Sequence, residues 1–162
     1  MDMDLRIEGA EELEAKLQLL GEKFGNAALF GALLDAAKPI ADEIKRNTPK
    51  AEKPYYRYWK GKRGGEPSRK LVQGGTMRKS VTRKRLKGMD VAAVTVTFKS
   101  KAFYWLFREK GTPKQAAQPF MRPAFDRKQA EASAIFADKL RKRIEKIAAK
   151  QGIDLGAEDG EG

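Results

Sequence analysis

The 162-residue chain contains no cysteine and no histidine. Without cysteine there is no disulfide framework, no thiolate zinc site, no iron–sulfur cluster and no cysteine nucleophile. Without histidine there is no Ser–His triad and no imidazole acid or base. Long apolar runs are missing too: none approaches the ~18–20 residues of a membrane span. The opening MDMDLRIEGAEELE is acidic and polar, unlike a secretory signal peptide. These absences leave a carboxylate or lysine enzyme, a nucleic-acid binder or a structural protein, folding in a reducing cytoplasm.

Charge is abundant and segregated. Lys and Arg number 34 against 22 Asp and Glu, a net charge of +12. Residues 1–14 hold one base and six acids, whereas 45–87 hold sixteen bases against Glu52 and Glu66, and 151–162 hold four acids and no base. A stretch at +14 repels itself in a compact monomer, so it faces solvent, an acidic partner or nucleic acid.

The hydrophobic pattern predicts an α+β fold of one domain over residues 1–150, with a small antiparallel sheet packed against two N-terminal helices and a long C-terminal one. Residues 3–8 (Met-Asp-Leu-Arg-Ile-Glu) alternate as a short strand does. A helix is expected from Glu11 to Phe24, punctuated by Gly25-Asn26. A second runs from about Ala27 to Arg46, where Pro39 should kink or break it. Residues 50–75, with Pro54, Pro67 and five glycines, read as a long basic loop. Two strands follow at 76–86 and 91–98, joined by a turn at 87–90. Residues 102–107 lean towards a short helix, with Phe103, Leu106 and Phe107 on one face. The last helix follows Pro123 and ends near Lys150. Residues 151–162 read as a disordered acidic tail.

Two strings stand out physically. In Lys53-Pro54-Tyr55-Tyr56-Arg57-Tyr58-Trp59-Lys60-Gly61-Lys62-Arg63, aromatic and basic residues interleave. Such a string suits stacking on single-stranded nucleic acid and equally suits docking on another subunit, where Tyr, Trp and Arg anchor interfaces. No fold-level nucleic-acid motif accompanies it. Docking is therefore favoured, with Arg57, Lys60, Lys62 and Arg63 as DNA-facing candidates. The strand at 77–85 is basic on both faces, which suits an edge or a subunit contact and brings in Arg78, Arg83 and Arg85. A lone Glu109 between Arg108 and Lys110 fits an ion-pair partner or backbone acceptor better than a general base. Gly61–Gly65 lacks the spacing of a phosphate loop. No constellation supports catalysis, a cofactor or a metal.

The third string is Glu109-Lys110-Gly111-Thr112, then Gln118-Pro119-Phe120-Met121-Arg122-Pro123-Ala124. Pro119 and Pro123 pre-shape a turn into a helix, Gly111 supplies a special backbone state, and Phe120 and Phe125 anchor packing. This block resembles the signature of the tail-completion, or head–tail joining, proteins of long-tailed double-stranded DNA bacteriophages. Gly75-Thr76-Met77-Arg78-Lys79-Ser80 resembles the same family's Gly-x-Leu-(Arg/Lys)-x-Ser strand opening. Lys110 departs from it, since an aromatic or apolar residue is common there, and the 50–75 segment is longer than the usual link. The resemblance covers residues 3–150.

What the resemblance implies is a non-enzymatic virion protein at the neck or tail end, assembled in the host cytoplasm. It would form a homo-oligomeric ring, expected to be hexameric, around the DNA passage. Its partners would be neighbouring neck and tail proteins, with non-specific contact to double-stranded DNA and none to membrane. Expected interface residues are Tyr55, Tyr56, Tyr58, Trp59, Arg78, Arg83, Arg85, Glu109 and Arg122. Gly111, Thr112, Pro119, Phe120, Pro123 and Phe125 form a structural junction. The alternative is a sequence-independent nucleic-acid-binding protein.

Overall fold

The computed structural model describes residues 10–50, 53–59, 68–86, 88 and 92–155. The expected strand at 3–8, most of the turn at 87–90 and the last seven residues of the expected tail lie outside the described residues. Among the described residues, four α-helices and two small two-stranded antiparallel sheets make a mixed α+β fold.

Helix α1 spans Ala10–Leu19 and α2 spans Gly21–Asn47. The break between them falls at Gly21, whose φ of +71° is the left-handed state glycine adopts freely. It does not fall at Gly25-Asn26, as expected; α2 runs straight through that pair. Gly25 serves close packing instead: a Cβ there would lie 3.2 Å from the Leu17 carbonyl oxygen of α1. Pro39 also sits within α2 without ending it. At the far end, the Thr48 N–H and hydroxyl both donate to the Ile44 carbonyl (2.9 and 2.5 Å), which closes the helix.

Two hairpins follow. Strands β1 (Tyr55–Trp59) and β2 (Ser68–Val72) pair antiparallel, so the segment expected to be an irregular loop is a ribbon over its described residues. A 3-10 turn at Arg78–Ser80 then leads into β3 (Val81–Leu86), which pairs with β4 (Ala93–Phe98). The strand expected from residue 76 therefore starts at Val81. The fully buried Ser80 fixes that turn by donating its hydroxyl to the Thr76 carbonyl.

Helix α3 (Trp105–Lys110) is followed by α4 (Met121–Gln151). α4 starts two residues before Pro123, which occupies its first turn, where a missing N–H has no helical partner to lose. The helix ends in a left-handed Gly152, and Ile153 N–H returns to the Ala148 carbonyl at 3.0 Å. The chain does not leave the core there: Ile153 and Leu155 still pack against it.

α2 and α4 form an antiparallel pair. Ala28, Ala32 and Ala36 recur every four residues on α2 and are buried together with Phe136, Leu140, Ile144 and Ala148 of α4. Small residues on one helix let the large ones of the other seat closely. Arg143–Asp35 (2.9 Å), near the middle of α2, and Arg127–Glu43 (3.5 Å), near its C-terminal end, tie the pair together. A second core joins the end of α2 to β3, β4 and the start of α4 through Ile44, Met77, Val81, Phe98 and Phe120.

Candidate functional site

The junction string has a mechanical explanation. α3 stops at Gly111 (φ +76°), where an added Cβ would lie 2.8 Å from Ala117 N and 3.0 Å from Gln115 O. Thr112 and Gln115 exchange backbone hydrogen bonds (2.8 and 3.0 Å), and Gln118 N–H donates to the Arg108 carbonyl (2.8 Å). This tight return carries Glu109 to the start of α4. There its carboxylate accepts from the N–H groups of Phe120 (2.8 Å), Met121 (3.1 Å) and Arg122 (3.3 Å). Donors at a helix N-terminus have no helical acceptor, and a negative charge opposes the positive end of the helix dipole. Glu109 is thus a backbone acceptor within its own chain. Phe120, 3% exposed, meets Phe98 edge-on at 5.9 Å, and Phe98 stacks on Trp105 at 5.3 Å. Phe125 is half-buried beside α2, while Pro119 and Arg122 are exposed.

The three arginines singled out at 78–85 also bond to their own chain. Arg78 donates to the carbonyls of Arg46 (3.0 Å) and Thr48 (3.5 Å) at the C-terminus of α2, where a cation is favoured. Arg83 donates to the Leu34 carbonyl. Arg85 lies 5.1 Å from the centre of the Phe30 ring. These contacts fasten the β3–β4 hairpin to α2.

What remains outward-facing is aromatic. On the β1–β2 ribbon, Tyr56 pairs across from Leu71 and Tyr58 from Arg69, which places all four on one face. Tyr56, Tyr58 and Leu71 are exposed, and the Arg69 guanidinium lies 4.9 Å from the centre of the Tyr56 ring. Phe103, two residues before α3, and Leu106 and Phe107 on it are 58%, 39% and 49% exposed. The short helix expected at 102–107 starts at Trp105, so Phe103 precedes it and only Leu106 and Phe107 of the expected face are helical. Helical spacing alone could not say that the face points away from the core. Phe103 is braced edge-on by Tyr104 (6.0 Å) and Phe107 (6.5 Å). A cleft of about 630 Å³ lies between the ribbon and the entry to α3, lined by Tyr55 of β1, by Phe103 and Tyr104, and by Lys50 and Arg108. The ribbon therefore turns its Tyr55 face to this cleft, and the exposed Tyr56 and Tyr58 lie on its other face. Trp59 and Arg57 belong to β1, whereas Lys60, Lys62 and Arg63 lie outside the described residues.

Among the described residues no cluster of acidic side chains could hold a metal, and no helix is long and apolar enough to cross a membrane. A family model described as "Bacteriophage HK97-gp10, putative tail-component" matches residues 11–111, from α1 to the glycine that ends α3. The Gln118–Ala124 block lies beyond the matched span. No curated protein and no solved structure matches the chain.

Proposed function

The chain belongs to the HK97-gp10-like family of bacteriophage tail components, and from that membership we propose that it is the tail-completion subunit, closing the tail where it meets the head. In this reading it assembles as a ring, six copies being our preferred number, around the DNA passage. One observation carries the reading: the exposed aromatic and aliphatic side chains of the ribbon and of the segment that enters α3. Monomeric proteins rarely expose large contiguous apolar patches, and such patches mark interaction sites. Tyr56, Tyr58, Phe103, Leu106 and Phe107 are the residue types that anchor interfaces, and Arg69 and Arg108 beside them supply polar complementarity. A ring seam joins two different faces of successive copies, so this surface seats on another part of the next subunit. The acidic start of the chain and the +14 segment at 45–87 offer opposite charges for setting that register.

The test is the mass of the purified oligomer, by native mass spectrometry, for the wild type and for Leu106→Asp/Phe107→Asp. The ring reading predicts a closed oligomer that the variant loses. A monomer at every concentration overturns it.

A second reading rests on the charge. Basic side chains around the ribbon could hold duplex phosphates without reading sequence, either instead of assembly or along the inside of a ring. Such binding weakens steeply and linearly in log[salt]. Tight DNA binding by a monomer at physiological salt would favour it over the ring.

A further inference from the structure

Charge is not spread evenly along α4. Residues 121–138 hold three bases, Arg122, Arg127 and Lys128, against three acids, Asp126, Glu131 and Asp138. Residues 139–151 hold six bases, Lys139, Arg141, Lys142, Arg143, Lys146 and Lys150, against Glu145 alone. Arg143 turns inward to Asp35 of α2 (2.9 Å). The other five are exposed. Lys142, Lys146 and Lys150 each follow a buried residue, Leu140, Ile144 and Ala148, by two positions. Two positions turn about 200° around a helix, so these lysines lie opposite the core. Lys139 joins them, since spacings of three, four and four residues put one lysine per turn on one face. The row runs about 16 Å along the axis. A helix dipole favours cations only within the last turn, and that turn holds Lys150 alone. A helix face built for solubility mixes both signs, as the first half of α4 does with its Lys128–Glu131 pair (2.6 Å). Asp138, at the head of the row, is bound by Lys142 at 2.8 Å. Its carboxyl is held below the ordinary value, chiefly by that hydrogen bond and further by the charges of Lys142, Lys139 and Arg141.

We propose that this face of α4 binds double-stranded DNA through its phosphates, without reading sequence. A duplex carries about one charge per 1.7 Å of its axis, so the length of the row faces about ten phosphates. Residue type favours nucleic acid over an acidic protein. Protein interfaces are depleted in lysine and anchored by aromatic and other large side chains. Among the exposed positions from 138 to 150 the one apolar residue is Ala149, which is too small to anchor a partner. Four of the five outward cations are lysine. Lysine is a flexible point charge that meets a phosphate at many angles, whereas base reading relies on planar, bidentate side chains. The proposal assigns phosphate contact to α4 rather than to the ribbon, and it does not depend on the ring. Within a ring, the same face would turn to the DNA passage.

The test is a salt titration of duplex binding by the full chain, read as the slope of log affinity against log[salt]. Lys139→Gln/Lys142→Gln/Lys146→Gln/Lys150→Gln should flatten that slope by about 3–4, close to 0.9 per lost phosphate contact. A control of the same net charge, Lys79→Gln/Lys84→Gln/Lys99→Gln/Lys114→Gln, replaces exposed lysines elsewhere and should keep the wild-type slope. Lys139→Arg/Lys142→Arg/Lys146→Arg/Lys150→Arg retains the charge and should also keep the slope, which separates phosphate contact from damage to the helix. A wild type that does not bind duplex at low salt overturns the proposal and leaves the face to solvent or an acidic protein. An α4 variant with the wild-type slope overturns it too, and hands the phosphates to another basic segment. So does a control that flattens the slope as much as the α4 variant, since net charge alone would then be at work. Native mass on the same samples reads assembly separately, so a missing ring leaves this result standing.

Discussion

Glu109 has three backbone N–H groups to satisfy, and the sequence holds no other acid between Asp90 and Asp126. Glu109→Ala should therefore lower stability by about 1–2 kcal/mol, the range of a lost helix cap with a dipole contribution. The midpoint of urea unfolding measures it, and Glu109→Gln should recover part of the loss. Phe120, buried against Phe98, should cost ~3–5 kcal/mol when cut to Ala, read as a lower melting temperature of the isolated chain. If the loss appears only in assembly, Phe120 is an interface residue instead. At this scale the sequence was informative about residue type and silent about address. Glu109, Gly111 and Phe120 stood out in one string, and the structure gives each a role inside the chain. Arg78, Arg83 and Arg85 looked like surplus charge because a helix C-terminus and an aromatic ring thirty or more residues away are invisible to local reading.

Among the elements, α4 was the most legible, because Ala132, Phe136, Leu140 and Ile144 repeat every four residues over a long span. α2 was less so. Glycine and proline are breakers by propensity, yet Gly25 admits α1 and Pro39 is carried by a helix packed along its length on α4. The ribbon was missed because glycine, proline and lysine hid the alternation of Tyr55–Trp59 and Ser68–Val72. Since the ribbon's outer face is exposed, Tyr56→Ser/Tyr58→Ser should shift the unfolding free energy by no more than about 0.5 kcal/mol per site. The same variant should weaken assembly. A large loss of folding stability would mean that the tyrosines hold the ribbon together rather than serving a partner.

For the whole molecule, the two halves of α2 and α4 build two cores, one closed by α1 and the other by the β3–β4 hairpin. Net charge told less than its distribution. A +12 chain fits a DNA binder, but part of the basic surplus is spent on α2 and on the hairpin, which leaves the 53–70 region as the basic segment next to the exposed tyrosines. If that region also meets DNA in the passage, affinity should fall linearly in log[salt], without preference among sequences, in an electrophoretic titration. A binding curve insensitive to salt would exclude phosphate contact.

The most direct measurement of the central claim is the native mass of the wild type beside Leu106→Asp/Phe107→Asp, with the melting curve of each. The account predicts a closed oligomer for the wild type and, for the variant, a folded monomer that still melts cooperatively, at a temperature lower by no more than the lost assembly explains. An unchanged oligomer in the variant would contradict it, because the exposed side chains of the ribbon and α3 would then not form the seam.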